Sequence, residues 1–261
     1  MRSSVNIGIE VIGLKKYLSV FMLYIRSSVY KVLALLGAMA VLQTVLFMSV
    51  PEFKMMRSLE KMHKFYGVED LLEKSGLFIV FGVAFVLLTL IVCYVGCEFS
   101  GKQGYTLRRL RISEKRVFLM QVLSNTLFYA LFWLCEIVII RVLMQIYLRY
   151  VPDAIYTNQM LMLSFYRNEL LMAVMPMSNL VCLFRNIIWV LAMGVTSAYL
   201  PYMQRRRKIA FSLVVMAAIV IVGFVSGDDI SSQNITAVWA VMIIISALVR
   251  VVRGESDEKE A

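Results

Sequence analysis

Charged side chains make up only 17% of this 261-residue chain, where soluble domains ordinarily carry about 25%. Histidine occurs once, as His63. That excludes the paired histidines of an HExxH zinc site and a Ser-His couple inside the apolar segments. No Gly-x-Ser-x-Gly elbow is present, so the sequence offers no catalytic set and implies no cofactor. Cysteine is confined to Cys93, Cys97, Cys135 and Cys182. All four sit inside or at the edge of apolar segments, where thiols behave as small hydrophobes. Cys93 and Cys97 lie one helical turn apart, but no second Cys or His pair completes a metal site. A cleavable leader is not expected either, because residues 1–31 scatter Glu10, Lys15, Lys16 and Arg26 among their apolar residues.

What is abundant is apolar surface: 61% of residues are hydrophobic and the mean hydropathy is +0.78. A soluble domain, at about 45–50% apolar, does not hide that much. The expected class is therefore an all-α integral membrane protein, with lipid as its surroundings. The net charge of +10 would suggest nucleic acid in a soluble protein. Here basic loops on the cytoplasmic side of a membrane explain it, and no nucleic-acid partner is expected.

Six stretches are free of charge for long enough to cross a bilayer: Val32–Val50, Gly76–Gly96, Val117–Cys135, Asn186–Gln204, Ile209–Gly227 and Ile230–Val249. Each approaches the roughly 20 residues that a hydrocarbon core of about 30 Å demands. Backbone groups must be satisfied internally in lipid, so these segments are helices. The resulting spans are placed at about 32–50, 76–96, 117–140, 180–204, 209–227 and 232–250. The fourth is the hardest to bound, because Leu170–Phe184 is also uncharged and only Arg185 divides it from the next stretch. Pro176 and Ser178-Asn179 mark a break there, with the earlier part lying along the outer interface.

Orientation follows from the basic residues between spans. One side holds 18: Arg2, Lys15, Lys16, Arg26, Lys31, Lys102, Arg108, Arg109, Arg111, Lys115, Arg116, Arg205, Arg206, Arg207, Lys208, Arg250, Arg253 and Lys259. The other holds 7: Lys54, Arg57, Lys61, Lys64, Lys74, Arg149 and Arg167. Both termini are accordingly expected in the cytoplasm. Gly8–Ser28 mixes apolar residues with charge and reads as a helix lying on the membrane surface. The tail Gly254–Ala261 is short and polar, and is expected to be disordered.

Three local patterns invite sharper readings. Gly96-Cys97-Glu98-Phe99-Ser100-Gly101-Lys102 fits the first seven positions of a phosphate-binding P-loop, but the eighth is Gln103 instead of Ser or Thr, and no strand precedes it. Met55, Met56, Met62 and His63 have the softness for Cu(I). Yet Met55, Leu59, Met62 and Tyr66 fall at helical spacing and read as an amphipathic face. Asp228 and Asp229 fall in a very short turn and read as solvated.

The loop between the second and third spans reads differently. Gly101 and Gly104 allow a chain reversal, Tyr105–Leu110 suits a short helix, and Ser113 is placed to cap the helix that follows. Glu98, Gly104, Thr106, Leu107, Ile112 and Ser113 stand in the order typical of type 2, export-class ABC-transporter permeases, which the chain resembles. Arg111 replaces that family's usual proline, and the Glu-to-Gly spacing is longer than common. The resemblance implies six spans, an N-terminal interfacial helix, and a cytoplasmic coupling helix docked on a separate ATPase subunit. It assigns that docking to Glu98, Gly104, Tyr105, Thr106, Leu107, Arg108, Arg109 and Leu110. It also implies a second permease copy or a similar permease as partner, export across a bacterial plasma membrane, and no covalent chemistry in this chain. Membrane lipids are the remaining partner, since the loop's arginines suit anionic headgroups. The alternative is an ATP-independent channel or secondary transporter, which ordinarily places ionisable groups near mid-membrane.

Two charges interrupt the apolar stretches. Glu136 lies 20 residues beyond Arg116, about 30 Å along a helix. Arg185 lies 19 residues before Gln204, about 28 Å. They reach the same depth, and an intramembrane ion pair between them is expected, with Arg141 as a rival partner for Glu136.

Overall fold

A computed structural model describes residues 2–57, 67–97, 113–150, 163, 169–174, 180–208, 210–225 and 230–260. Among the described residues the elements are all helices: α1 (Arg2–Ser49), α2 (Pro51–Arg57), α3 (Val68–Lys74), α4 (Leu77–Gly96), α5 (Glu114–Leu148), α6 (Glu169–Val174), α7 (Leu180–Arg205), α8 (Ser212–Val225) and α9 (Ile230–Glu260). Five of them contain segments long and apolar enough to cross a bilayer: Leu18–Ser49, Leu77–Gly96, Glu114–Leu148, Leu180–Arg205 and Asn234–Arg253. The architecture is that of an all-α, multi-pass membrane protein.

The expected fifth span is shorter than a span should be. α8 has 14 residues, about 21 Å of helix against a core of about 30 Å. Its flanks at 226–229 and Ile209 lie outside the described residues. Elsewhere the helices outrun the expected boundaries. α5 covers 35 residues, about 52 Å, where 117–140 was expected. α7 agrees with 180–204, while Pro176 and Ser178-Asn179, read as the break before it, lie outside the described residues.

Two terminal expectations are corrected. No break separates a surface helix at Gly8–Ser28 from the first span, because α1 is one helix of 48 residues. Neither Ser27 nor Ser28 interrupts it. The Ser27 hydroxyl donates back to the Tyr24 carbonyl at 2.9 Å, and no proline falls between residues 1 and 50. At the other end α9 continues to Glu260, so the tail expected to be disordered is helical over most of its length. Once a long helix has formed, each further residue costs little, and Glu and Lys are good helix formers.

Successive long helices run in opposite directions. Phe47, Phe53 and Tyr150 meet at one end of the bundle, as do Phe81, Phe132 and Phe224. Trp189, in the N-terminal half of α7, also meets Phe224, so the ends of α1, α4, α5, α7 and α8 represented there are alternately C- and N-terminal. At the opposite end Val20 and Tyr24 pack with Val95 and Val117, and Phe118 and Tyr202 pack with Val251. α7 is the central helix, touching α4, α5, α8 and α9.

The outer surface is as apolar as the core. On α5, Leu119, Leu123, Leu127, Leu131, Leu134, Val138 and Val142 are all exposed and recur every three or four residues, forming one stripe. From Leu119 to Val142 it spans about 34 Å at 1.5 Å per residue, close to a hydrocarbon thickness. A stripe of that height facing outward is what lipid contact requires.

Candidate functional site

The polar residues that matter are those the apolar belt encloses. Among the described residues, Glu136 and Arg185 are the buried charged groups, at 1% and 2% exposure. Both sit in the half of the bundle that contains Leu180. Trp133 Nε1 donates to the Val174 carbonyl at 2.9 Å and Asn186 Nδ2 to the adjacent Ala173 carbonyl at 2.7 Å. Trp133 on α5 and Asn186 on α7 therefore stand at one level, and Glu136 and Arg185 flank them.

The expected ion pair is not formed. Gln43 Nε2, on α1, donates to both Glu136 oxygens at 3.1 Å. Arg185 turns to its own helix: Nε and Nη2 donate to Asn186 Oδ1 at 3.3 and 3.2 Å, and the guanidinium lies 4.4 Å from the Trp189 ring centre. A similar level along two helices does not fix the direction a side chain faces. Glu136 faces α1, whereas Arg185 stacks on the aromatic one turn further along α7, a favourable use of a planar cation in an apolar setting. The rival partner Arg141 is exposed.

The short helix α6 packs against α5 and α8. Leu171 and Val174 are fully buried, and the Ala173 and Val174 carbonyls receive the Asn186 and Trp133 donors just described. A helix C-terminus leaves carbonyls unsatisfied, and where water is excluded side chains must supply the donors. Beside it lies a cavity of about 40 Å³ whose lining includes Phe81, Phe85, Phe132, Trp189, Val220 and Phe224. Tyr129, Trp133 and Asn186 also line it, with their polar groups engaged elsewhere.

Toward the Arg205 end the interior changes character. Asn125 Nδ2 donates to Ser197 Oγ at 2.9 Å, and Ser197 Oγ donates to the Gly194 carbonyl at 3.1 Å. Tyr129 donates to Thr89 Oγ1 at 3.2 Å. α7 is buried on every side from Ala192 to Tyr199. The Asn125–Ser197 and Tyr129–Thr89 bonds link α5 to α7 and to α4, side-chain hydrogen bonds between helices being a usual means of association in lipid.

The docking residues named from sequence, Glu98, Gly104, Tyr105, Thr106, Leu107, Arg108, Arg109 and Leu110, lie outside the described residues. Their flanks are described. Ser113 is the residue before α5, as expected, but its hydroxyl makes no capping hydrogen bond. Near this end Arg206 approaches Glu114 at 3.5 Å and lies 4.6 Å from the Tyr202 ring centre.

Sequence reasoning missed Gln43, Asn186, Asn125 and the Trp133 donor. A signal existed for the first, since Gln43 is the lone amide in Val32–Val50. A buried amide in an apolar span needs a partner. No known protein family, curated protein or solved structure matches this chain.

Proposed function

We propose that the chain is the membrane-spanning permease subunit of an ABC transporter, exporting its substrate with energy from ATP hydrolysed in a separate subunit. The reading rests chiefly on one observation: Glu98, Gly104, Thr106, Leu107, Ile112 and Ser113 stand in the family's order between the second and third apolar segments. The basic asymmetry of 18 to 7 supports placing that loop in the cytoplasm, where an ATPase would meet it. Six spans, with α8 as the fifth, suit the antiparallel alternation of the helices. Two such chains, or one and a similar permease, would pair in the plasma membrane of a bacterium. The coupling loop would transmit closure of the ATPases to α4 and α5.

Changing Leu107 and Leu110 together to Asp tests this. The double variant is expected to insert normally and to lose a co-purifying ATPase, because an unpaired charge in an apolar docking groove is costly. Retention of the ATPase and of transport would remove this loop as the coupling element.

A second reading has one observation in its favour. Glu136 and Arg185 are buried within the apolar belt, and ionisable groups at such depth often mark ion or proton pathways. An ATP-independent channel or secondary transporter would transport in proteoliposomes without any ATPase, and the permease would not.

A further inference from the structure

Glu136 lacks the surroundings of a carboxylate ion. It is 1% exposed, lies within the height of the apolar stripe on α5, and forms no ion pair with a described residue. An ionised carboxylate offers about four acceptor positions and needs a cation or several donors when water is excluded. Glu136 receives a single amide group, Gln43 Nε2, shared at 3.1 Å between its two oxygens.

The neighbouring amide shows the complementary defect. Gln43 is fully buried, and its Oε1 has no hydrogen-bond donor. One proton on Glu136 resolves both. The acid O–H then donates to Gln43 Oε1, while Gln43 Nε2 donates to the other Glu136 oxygen. Only a turn about the terminal torsion of Gln43 is needed, and that torsion is soft. We propose that Glu136 and Gln43 form a proton-binding site between α1 and α5, occupied at neutral pH as a reciprocal acid–amide pair. The step takes one proton from solvent and converts –COO⁻ to –COOH, with no other bond made or broken.

The surrounding groups leave this possible. From α7 the nearest cation by level is Arg185, already bonded to Asn186 and stacked on Trp189. On α5 itself Arg141 is exposed and Cys135 is adjacent. α4 presents Phe81 and Phe85 in this half, and α6 presents carbonyls already engaged. Glu52 and Lys74 are paired with each other. Glu69, Asp70 and Glu73 belong to α3, where Glu69 lies by Tyr147 of α5, 11 residues beyond Glu136 and about 16 Å further along the helix. Release of the proton would leave a charge that Gln43 alone does not compensate, so occupancy of the site holds α1 against α5. The proton site does not depend on the permease reading.

Infrared difference spectroscopy on the full chain in lipid bilayers at neutral pH tests it. Wild type minus Glu136→Gln is expected to show a protonated carboxylic C=O band that shifts in D₂O. Glu136→Gln is expected to keep the wild-type thermal midpoint, because a second amide reproduces the reciprocal pair. Loss of an ionised-carboxylate signal in its place would overturn the proposal. Gln43→Leu provides an independent arm should Glu136→Gln fail to fold. It should move the acid band to higher frequency by removing its partner, and an unmoved band would likewise reject the pairing.

Discussion

The two halves of the bundle solve the same packing problem in opposite ways. In the half that contains Leu180, large rings meet edge to face, as Phe81 does with Phe224 and Trp189 with Phe224. They leave a cavity and admit two buried charges beside the short helix α6. In the half that contains Arg205, α7 presents Ala192, Gly194, Ser197 and Ala198 to its neighbours, and the helices approach closely. Rings preserve bulk while leaving gaps between flat faces. Small residues remove bulk and bring backbones together, which is how helices associate when lipid supplies no hydrophobic drive.

The closest approach is where this contrast is most easily broken. A Cβ built on Gly194 would lie 3.0 Å from the Cα of Thr126 on α5. Backbone does not give way as the end of a flexible side chain would. Gly194→Val is therefore expected to part α5 from α7 and to cost at least about 3 kcal/mol, the upper part of the range for overpacked cores. The unfolding midpoint in detergent, compared with Gly194→Ala, measures it. A variant as stable as wild type would mean that the helices are not in contact there.

A matched pair of enlargements sharpens the comparison. Ala198 is fully buried in the close-packed half, and Val220 lines the aromatic cavity. Ala198→Val should destabilise by about 1–3 kcal/mol. Val220→Ile adds a methylene where space exists and should be neutral or stabilising, within about 1 kcal/mol. Equal losses at both positions would show that the two halves are packed alike.

How much of this was legible in the sequence depends on the kind of information required. Membrane class and helix positions needed only runs of apolar residues, because lipid leaves the backbone no alternative to a helix. Gly76–Gly96 and 180–204 accordingly agree closely with α4 and α7. The α1 boundary failed because amphipathic composition in Gly8–Ser28 signalled a surface helix, while Ser27 and Ser28, which could cap a new helix, sit inside α1 with Ser27 bonded back to the Tyr24 carbonyl, and no proline enforces a break. Glu136 and Arg185 were legible in the sequence as the charges that interrupt the apolar stretches. Their partners were not, since a residue count along one helix carries no information about rotation relative to another. Gln43 was available as the lone amide of its span, and asking which buried group it serves would have led to Glu136.

The smallest effect is expected where neither half is involved. Glu52 and Lys74 form a salt bridge beyond the ends of α1 and α4. The hydrogen bond from Lys74, first among its causes, holds the Glu52 carboxyl below its ordinary value of 4.5. A carboxyl whose folded value lies below its unfolded one contributes stability that is fully present above the unfolded value. That contribution fades as pH falls from about 4.5 through the folded value. Between pH 8 and 6 Glu52 is ionised in both states, so Glu52→Gln should leave the pH profile flat there and alter it only under acid conditions. Lys74 is about half exposed and Glu52 partly exposed, at a surface where two long side chains gain little by pairing and salt screens what they gain. Glu52→Gln and Lys74→Met should thus move the midpoint less than Ala198→Val does, and raising salt to about 1 M should erase even that difference. A shift as large as that of Ala198→Val would mean that the link between α2 and the end of α3 is structural, and that the bundle's stability extends beyond the membrane-embedded halves.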